Sequence, residues 1–230
     1  MATCPSETLT QITPVGNDIV DLACPENLEK HRDRRFVDRI LNERERTVLA
    51  SGNSDPHRQL WSFWTAKETA YKALTKVVPD IPAWPSHYDV HLGALPGSAA
   101  TVSGTVACSQ GIVTIRIFCA EDYLHCIGTA GSMRDLDCII HGTCLTKGSS
   151  ENVESASQGA RNAVIRSVSN EIGVEPGRMQ IVRPEGPRGL LHPLLLLDES
   201  PVPLDISLSH DGAFAGFART PVIAGTINTH

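Results

Sequence analysis

The stretch WTAKETAYKAL, residues 64–74, decides how this chain is read. Its apolar residues recur at helical spacing. At ~100° per residue, Lys67 falls inside the arc that holds Leu60, Phe63, Trp64, Tyr71 and Leu74. Glu68 and Lys72 lie together on the border of that arc, near Trp61. One account is structural. Glu68 and Lys72 form an i,i+4 pair in the favourable order, worth ~0.3 kcal/mol, and Lys67 lays its stem along the core with its ammonium in water. The other account makes the three residues part of a site, and the rest of the sequence bears on the choice.

The chain has 230 residues, enough for one large domain or two small ones. Hydrophobic residues make up 41% and charged residues 20%, an ordinary globular balance. The formal net charge of −6 argues against nonspecific nucleic-acid binding, so an anionic ligand needs a local basic pocket. No apolar run approaches the ~20 residues of a membrane span, and the first 25 residues lack a signal-peptide pattern. Seven cysteines without a CxxC pair argue against a disulfide framework and a structural zinc site. Reduced thiols and a cytoplasmic location are expected.

TPVGNDIVDL (13–22) reads as a turn and a strand, 34–52 as one helix, and 58–78 as the next helix. HYDVHLGAL, GIVTIRIFCA and DYLHCIGTA read as strands. Residues 142–159 are rich in small polar residues and read as a linker. Beyond it come a helix over 160–173, a strand over 179–183, a Gly/Pro-rich loop over 185–193 and a final strand over 205–218. Each half thus offers a long helix followed by strands, which invites an internal comparison. Setting AKETAYKAL (66–74) against ARNAVIRSV (160–168) pairs Lys67 with Arg161, Glu68 with Asn162 and Lys72 with Arg166. DYLHCIGTAG and GAFAGFARTP, which close the halves, also look alike. The cations persist while the carboxylate becomes an amide.

Asp18 and Asp21 of GNDIVD would point to opposite faces of a strand, so at most one shares a site with Glu68. A carboxylate from a strand and one from a helix suit Mg²⁺, which takes one or two and leaves its other positions to water and phosphate. Lysines beside them would neutralise a phosphate. Ser209-His210-Asp211-Gly212 forms a polar turn in an apolar strand, and Arg188 sits in the EGPRG loop.

GNDIVDL, RRFVDRILNERE, FWTAKETAYKAL and ISLSHDGAFAGFA, in that order, resemble the 4′-phosphopantetheinyl transferase superfamily. The first three resemble its half-length holo-acyl-carrier-protein synthase type. The doubled length resembles its pseudodimeric type, with the halves in circularly permuted order. The resemblance implies an α+β protein with a 4′-phosphopantetheinyl transferase-like fold of two pseudo-twofold-related α/β halves. Residues 1–141 would be a magnesium-binding catalytic half and 160–230 a coenzyme A-binding half, working as a monomer.

The resemblance also implies the reaction, in which 4′-phosphopantetheine passes from coenzyme A to a serine of an apo acyl or peptidyl carrier protein and 3′,5′-ADP is released. Asp18 and Glu68 match the family's magnesium ligands, and Lys67 and Lys72 its helix lysines, with Lys72 on the coenzyme A phosphates. Ser209 and His210 match the strand motif that holds the nucleotide phosphates, and Arg188 stands near the family's loop lysine. Glu68 or a metal-bound water would take the serine proton. Where the pseudodimeric type has a second acid, this chain has Val20, which leaves a water as the third ligand. An acidic carrier would dock on Arg32, Arg34, Arg35 and Arg39, unless these form a solvated face with Asp33, Asp38 and Glu43. The alternatives are a coenzyme A- or nucleotide-binding homologue without transferase activity and another Mg²⁺-dependent phosphotransferase or hydrolase.

Overall fold

A computed structural model describes residues 12–52, 54–78, 80–94, 100–146, 153–186 and 189–223. The first half runs β1 (Val15–Asp21), α1 (Arg34–Ile40), α2 (Glu43–Ala50), α3 (Pro56–Leu74), β2 (Asp89–Leu92), β3 (Thr101–Cys108), β4 (Gly111–Cys119) and β5 (Tyr123–Thr129). Its strands form an antiparallel sheet in the order β1-β5-β4-β3-β2. A short α4 (Met133–Asp137) leads to the second half. There β6 (Ile140–Leu145) and α5 (Val153–Ile172) precede β7 (Met179–Val182), β8 (Glu185–Gly186), β9 (Gly189–Leu190), β10 (Leu194–Leu197) and β11 (Ser200–Pro201). The described chain closes with β12 (Ile206–Asp211) and β13 (Phe214–Arg219), which join β6 in a sheet ordered β12-β13-β6.

The halves repeat one topology. In the first, β1, α3, β4 and β5 give the order β1-β5-β4; in the second, β6, α5, β12 and β13 give β6-β13-β12. Each long helix lies against the three strands of its own set. The two segments alike in sequence, DYLHCIGTAG and GAFAGFARTP, contain the central strands β5 and β13.

Four local readings change. Residues 34–52 form two helices, because Asn42 accepts from the Glu45 amide and Glu45 reaches back to the Asn42 amide. This capping box starts a new helix after Ile40. The stretch 142–159, expected as a linker, holds most of β6 and the start of α5, with 147–152 outside the described residues. The expected boundary at residue 141 therefore cuts through a strand of the second sheet. The final strand over 205–218 is a hairpin, turning at Gly212 with φ of 50°. Strands β3, β10 and β11 are additional to those expected, and the expected loop over 185–193 carries the short pair β8 and β9.

Three apolar clusters hold the fold together. One fills the space between α3 and the first sheet, with Leu60, Phe63, Ala66, Ala70, Ile115, Ile117 and Leu124. A second joins α5 to β7, β10, β12 and β13 through Val164, Val168, Ile181, Leu195 and Phe217. A third, smaller one lies between the halves, with Val15, Ile127, Leu136, Ile139 and Ala218.

Helix α3 sits unusually close to β1. A Cβ on Gly16 would stand 2.0 Å from the Thr69 carbonyl oxygen, and one on Gly128 would stand 2.8 Å from Thr69 Cγ2. Glycine in GND is thus a spacing requirement. It lets the helix lie directly on the strand that carries Asp18.

The same helix is tied to its other neighbours by Lys67. Its ammonium donates to Glu45 Oε2 at 2.5 Å, the Ile40 carbonyl at 2.9 Å and the Pro85 carbonyl at 3.1 Å. Glu45 also accepts from the amides of Asn42 and Val90. Lys67 and Glu45 are 1% and 0% exposed, so neither charge has water to fall back on.

Two stability outcomes follow, each measurable by urea denaturation. Gly16→Ala loses about 2 kcal/mol or more, as expected of an overpacked backbone contact. A near-neutral effect would show that α3 does not rest on β1. Lys67→Ala loses about 3–5 kcal/mol, because the Glu45 carboxylate is left buried and unpaired, whereas Lys67→Met combined with Glu45→Gln recovers most of that loss.

Candidate functional site

Strand β1 is an interior strand only on one side. Its inner edge pairs with β5 from Val15 opposite Thr129 to Asp21 opposite Tyr123. On its outer edge the second half supplies side chains as acceptors. The amide of Val15 donates to Asp205 Oδ2 at 2.6 Å, that of Asn17 to Ser207 Oγ at 2.9 Å, and that of Asp21 to Asp211 Oδ2 at 2.8 Å. Lys76 reinforces this seam, donating to both Asp205 oxygens and to the carbonyls of Val15 and Ile206. Asp21 also accepts from the Ala213 amide at 2.9 Å. It therefore works at the seam, on the opposite face of β1 from Asp18.

Beside this seam lies a cleft of about 560 Å³. Asp18, Glu68, Tyr71, Lys72 and Lys76 line it from the first half, and Arg161, Arg183, His192, Ser209 and His210 from the second. Lys72 donates to Asp18 Oδ1 at 2.8 Å and to the Asn17 carbonyl at 3.1 Å. Burial pushes the Asp18 carboxyl above the usual carboxylate range, and Lys72 partly offsets it. Burial likewise raises Glu68, the neighbouring charge of Asp18 raises it further, and Lys72 opposes both. Two carboxylates, one of which hinders the ionisation of the other, in a cleft lined by cations, form a site for a ligand that brings both charge signs.

The sequence-expected residues divide cleanly. Asp18, Glu68, Lys72, Ser209 and His210 share the cleft. Lys67 does not join them: its ammonium is consumed by Glu45 and two carbonyls on the far side of the helix, so the catalytic role expected of it is corrected to a structural one. Arg188 lies outside the described residues. Arg161 and Arg183 line the cleft without having been singled out for it, although the internal comparison had paired Arg161 with Lys67. Val20 is buried in the apolar core beneath α3, so no third acid comes from that position.

Asp18 and Glu68 fit Mg²⁺, which accepts one or two carboxylates and completes its shell with water and phosphate oxygens. Among the described residues no group of three or more His, Cys, Asp or Glu side chains converges on a metal position. Two carboxylates would leave the rest of such an ion's shell to water and ligand oxygens. No helix among the described residues is long and apolar enough to cross a membrane. None of the six described cysteines forms a disulfide.

Comparison with known proteins bears on the first half. Among solved structures, the crystal structure of Thermotoga maritima holo-(acyl-carrier-protein) synthase is similar at 10% identity and a TM-score of 0.39, covering 83% of this chain and 85% of that chain. That likeness is too loose to carry an argument. No curated protein matches the chain. Residues 14–123, just under half of the chain, match the family model described as the 4′-phosphopantetheinyl transferase superfamily. That span holds Asp18, Glu68 and Lys72, and over it the chain is similar to the superfamily that its motifs resemble.

Proposed function

We propose that this protein transfers the 4′-phosphopantetheine group from coenzyme A to a serine of an apo acyl or peptidyl carrier protein in the cytoplasm, releasing 3′,5′-ADP. One observation carries this reading: the acidic pair with Lys72 from one half and the Ser209–His210 strand from the other line a single cleft.

The chemistry is phosphoryl transfer, in which the protein mainly positions groups and offsets charge. The carrier serine oxygen attacks the phosphorus next to pantetheine, the bond to the bridging pyrophosphate oxygen breaks, and 3′,5′-ADP departs. Ser209, His210, Arg161, Arg183 and Lys72 face the cleft and receive the phosphates. A Mg²⁺ on Asp18 and Glu68 would neutralise the pyrophosphate. Glu68 accepts no hydrogen bond from the described protein and its affinity for protons is raised, so it is the acceptor in the cleft for the serine proton. Arg188 remains a further candidate for the phosphates. The carrier docks on Arg32, Arg34, Arg35 and Arg39, all exposed. Arg32 pairs with Glu29 and Arg34 with Asp38, while Arg39 lies over the Phe36 ring.

The second reading is a coenzyme A-binding homologue without transfer, favoured by the buried Val20 where the pseudodimeric type carries an acid. Incubation with coenzyme A, Mg²⁺ and a panel of apo carriers, read by intact mass, separates the two. Transfer gives a carrier heavier by one phosphopantetheine, and Glu68→Gln lowers the rate about 100-fold or more with the fold kept. Binding without any mass gain decides for the second reading, and near-normal turnover in Glu68→Gln removes Glu68 from the site.

A stability measurement tests the electrostatics separately. The folded pKa of Glu68 lies above its unfolded value, so its ionisation costs stability above that window and nothing below it. In the presence of EDTA, the stability of Glu68→Gln relative to wild type therefore rises as pH increases from about 4 through the raised folded value. A difference that is flat with pH would show that burial and Asp18 do not strain Glu68.

A further inference from the structure

Beneath the cleft, Ser209 is joined by two polar side chains, Asn17 and His125, that the proposed reaction does not use. Asn17 is 0% exposed, His125 1% and Ser209 6%. Asn17 Nδ2 donates to Ser209 Oγ at 2.7 Å and lies 3.2 Å from His125 Nε2. These contacts account for both amide hydrogens. The opposing Gly216 packs tightly against this pair, since a Cβ there would stand 3.0 Å from His125 Nε2 and 3.2 Å from Asn17 Nδ2.

We infer that Asn17, held by His125, is a positioning residue that fixes Ser209 as a hydrogen-bond donor towards a phosphate in the cleft. This rests on the reading of the cleft as a phosphate site. A serine hydroxyl has one hydrogen and two lone pairs, and in the open it turns to suit its neighbours. Here Ser209 Oγ accepts from Asn17, so its own hydrogen must go elsewhere. The Gly216 carbonyl stands at 3.5 Å, at the limit of a hydrogen bond, and the remaining direction is the cleft that Ser209 lines. An anion offers only acceptors, so a hydroxyl already committed as a donor binds it without reorganisation.

His125 fixes the direction of the relay. To accept from Asn17 its Nε2 must carry no hydrogen, which requires a neutral ring protonated on Nδ1. Burial keeps it neutral, pushing its pKa down to about 3, with His141 and Lys72 adding in the same direction. The reversed amide would put Asn17 Oδ1 on Ser209 and consume the hydroxyl hydrogen. Asn17 Oδ1 has no partner in the described protein, so both contacts of the amide are made through Nδ2.

The test uses the full chain. Nitrogen-15 NMR of His125 between about pH 6 and 8 should find a neutral ring with bare Nε2 throughout. An imidazolium, or a ring protonated on Nε2, overturns the relay. Calorimetry with inorganic pyrophosphate and with coenzyme A then compares wild type, Ser209→Ala, Asn17→Ala and the double variant. Each single change should weaken binding about tenfold, and the double no further, because Asn17 acts only through Ser209. Additive losses overturn the relay and leave the transferase reading standing. His125→Gln, which keeps an acceptor for Asn17, should bind like wild type, and His125→Leu like Asn17→Ala. Equal losses in the two overturn the relay even where Asn17→Ala fails to fold. Coupled losses for pyrophosphate with no binding of coenzyme A support the relay while sinking the transferase reading. No binding of either sinks both.

Discussion

The outer edge of β1 is the constraint on which the rest of the molecule turns. A strand edge exposes amides that must be hydrogen-bonded, and leaving them buried and bare would cost more than most single contacts give back. This chain closes the edge with side chains instead of a neighbouring ladder. Asp205, Ser207 and Asp211 take the amides of Val15, Asn17 and Asp21. Each acceptor lies 190 residues beyond its donor, so the two strands run in the same direction across the seam. Because side chains span this gap, the strands stand apart, and the candidate cleft lies beside the gap.

The two lysines of α3 show how little more than one turn of helix separates the buried core from the candidate cleft. Lys67 and Lys72 carry the same charge five residues apart. Lys67 meets the buried carboxylate of Glu45 and two carbonyls, so its charge ties α3 to the residues around α1, α2 and β2. Lys72 meets Asp18 at the edge of a cleft that also holds Glu68. The helical wheel placed Lys67 in the apolar arc, and that placement was right. What periodicity could not supply was the identity of its partner, because Glu45 comes from a different helix.

Legibility in the sequence follows the range of each interaction. Residues set by motif spacing on one element, Asp18, Glu68, Lys72, Ser209 and His210, were readable and converge on one cleft. The break between α1 and α2 was also written locally, in Asn42 and Glu45, but helical periodicity runs through it and masks it. Arg161 appeared only as the partner of Lys67 in the internal comparison, and nothing in that comparison tells that it faces the cleft. Arg183 gave no signal, since an exposed arginine near a strand end has no distinguishing pattern. Asn17 was hidden by its neighbour: beside Asp18 in GND it reads as a turn residue, and only the fold brings His125 and Ser209 to its amide.

The long reach of the seam has a consequence for how the protein is made. The first half has its own sheet and apolar cluster, which local contacts can assemble while later residues are still being synthesised. The cleft has no such independence, because one wall awaits β12, nearly the whole chain later. Pairings of that sequence separation form slowly. Until then β1 presents a bare edge to other chains, a template for misassembly. Closure of the site and removal of that hazard are therefore one event, late in folding.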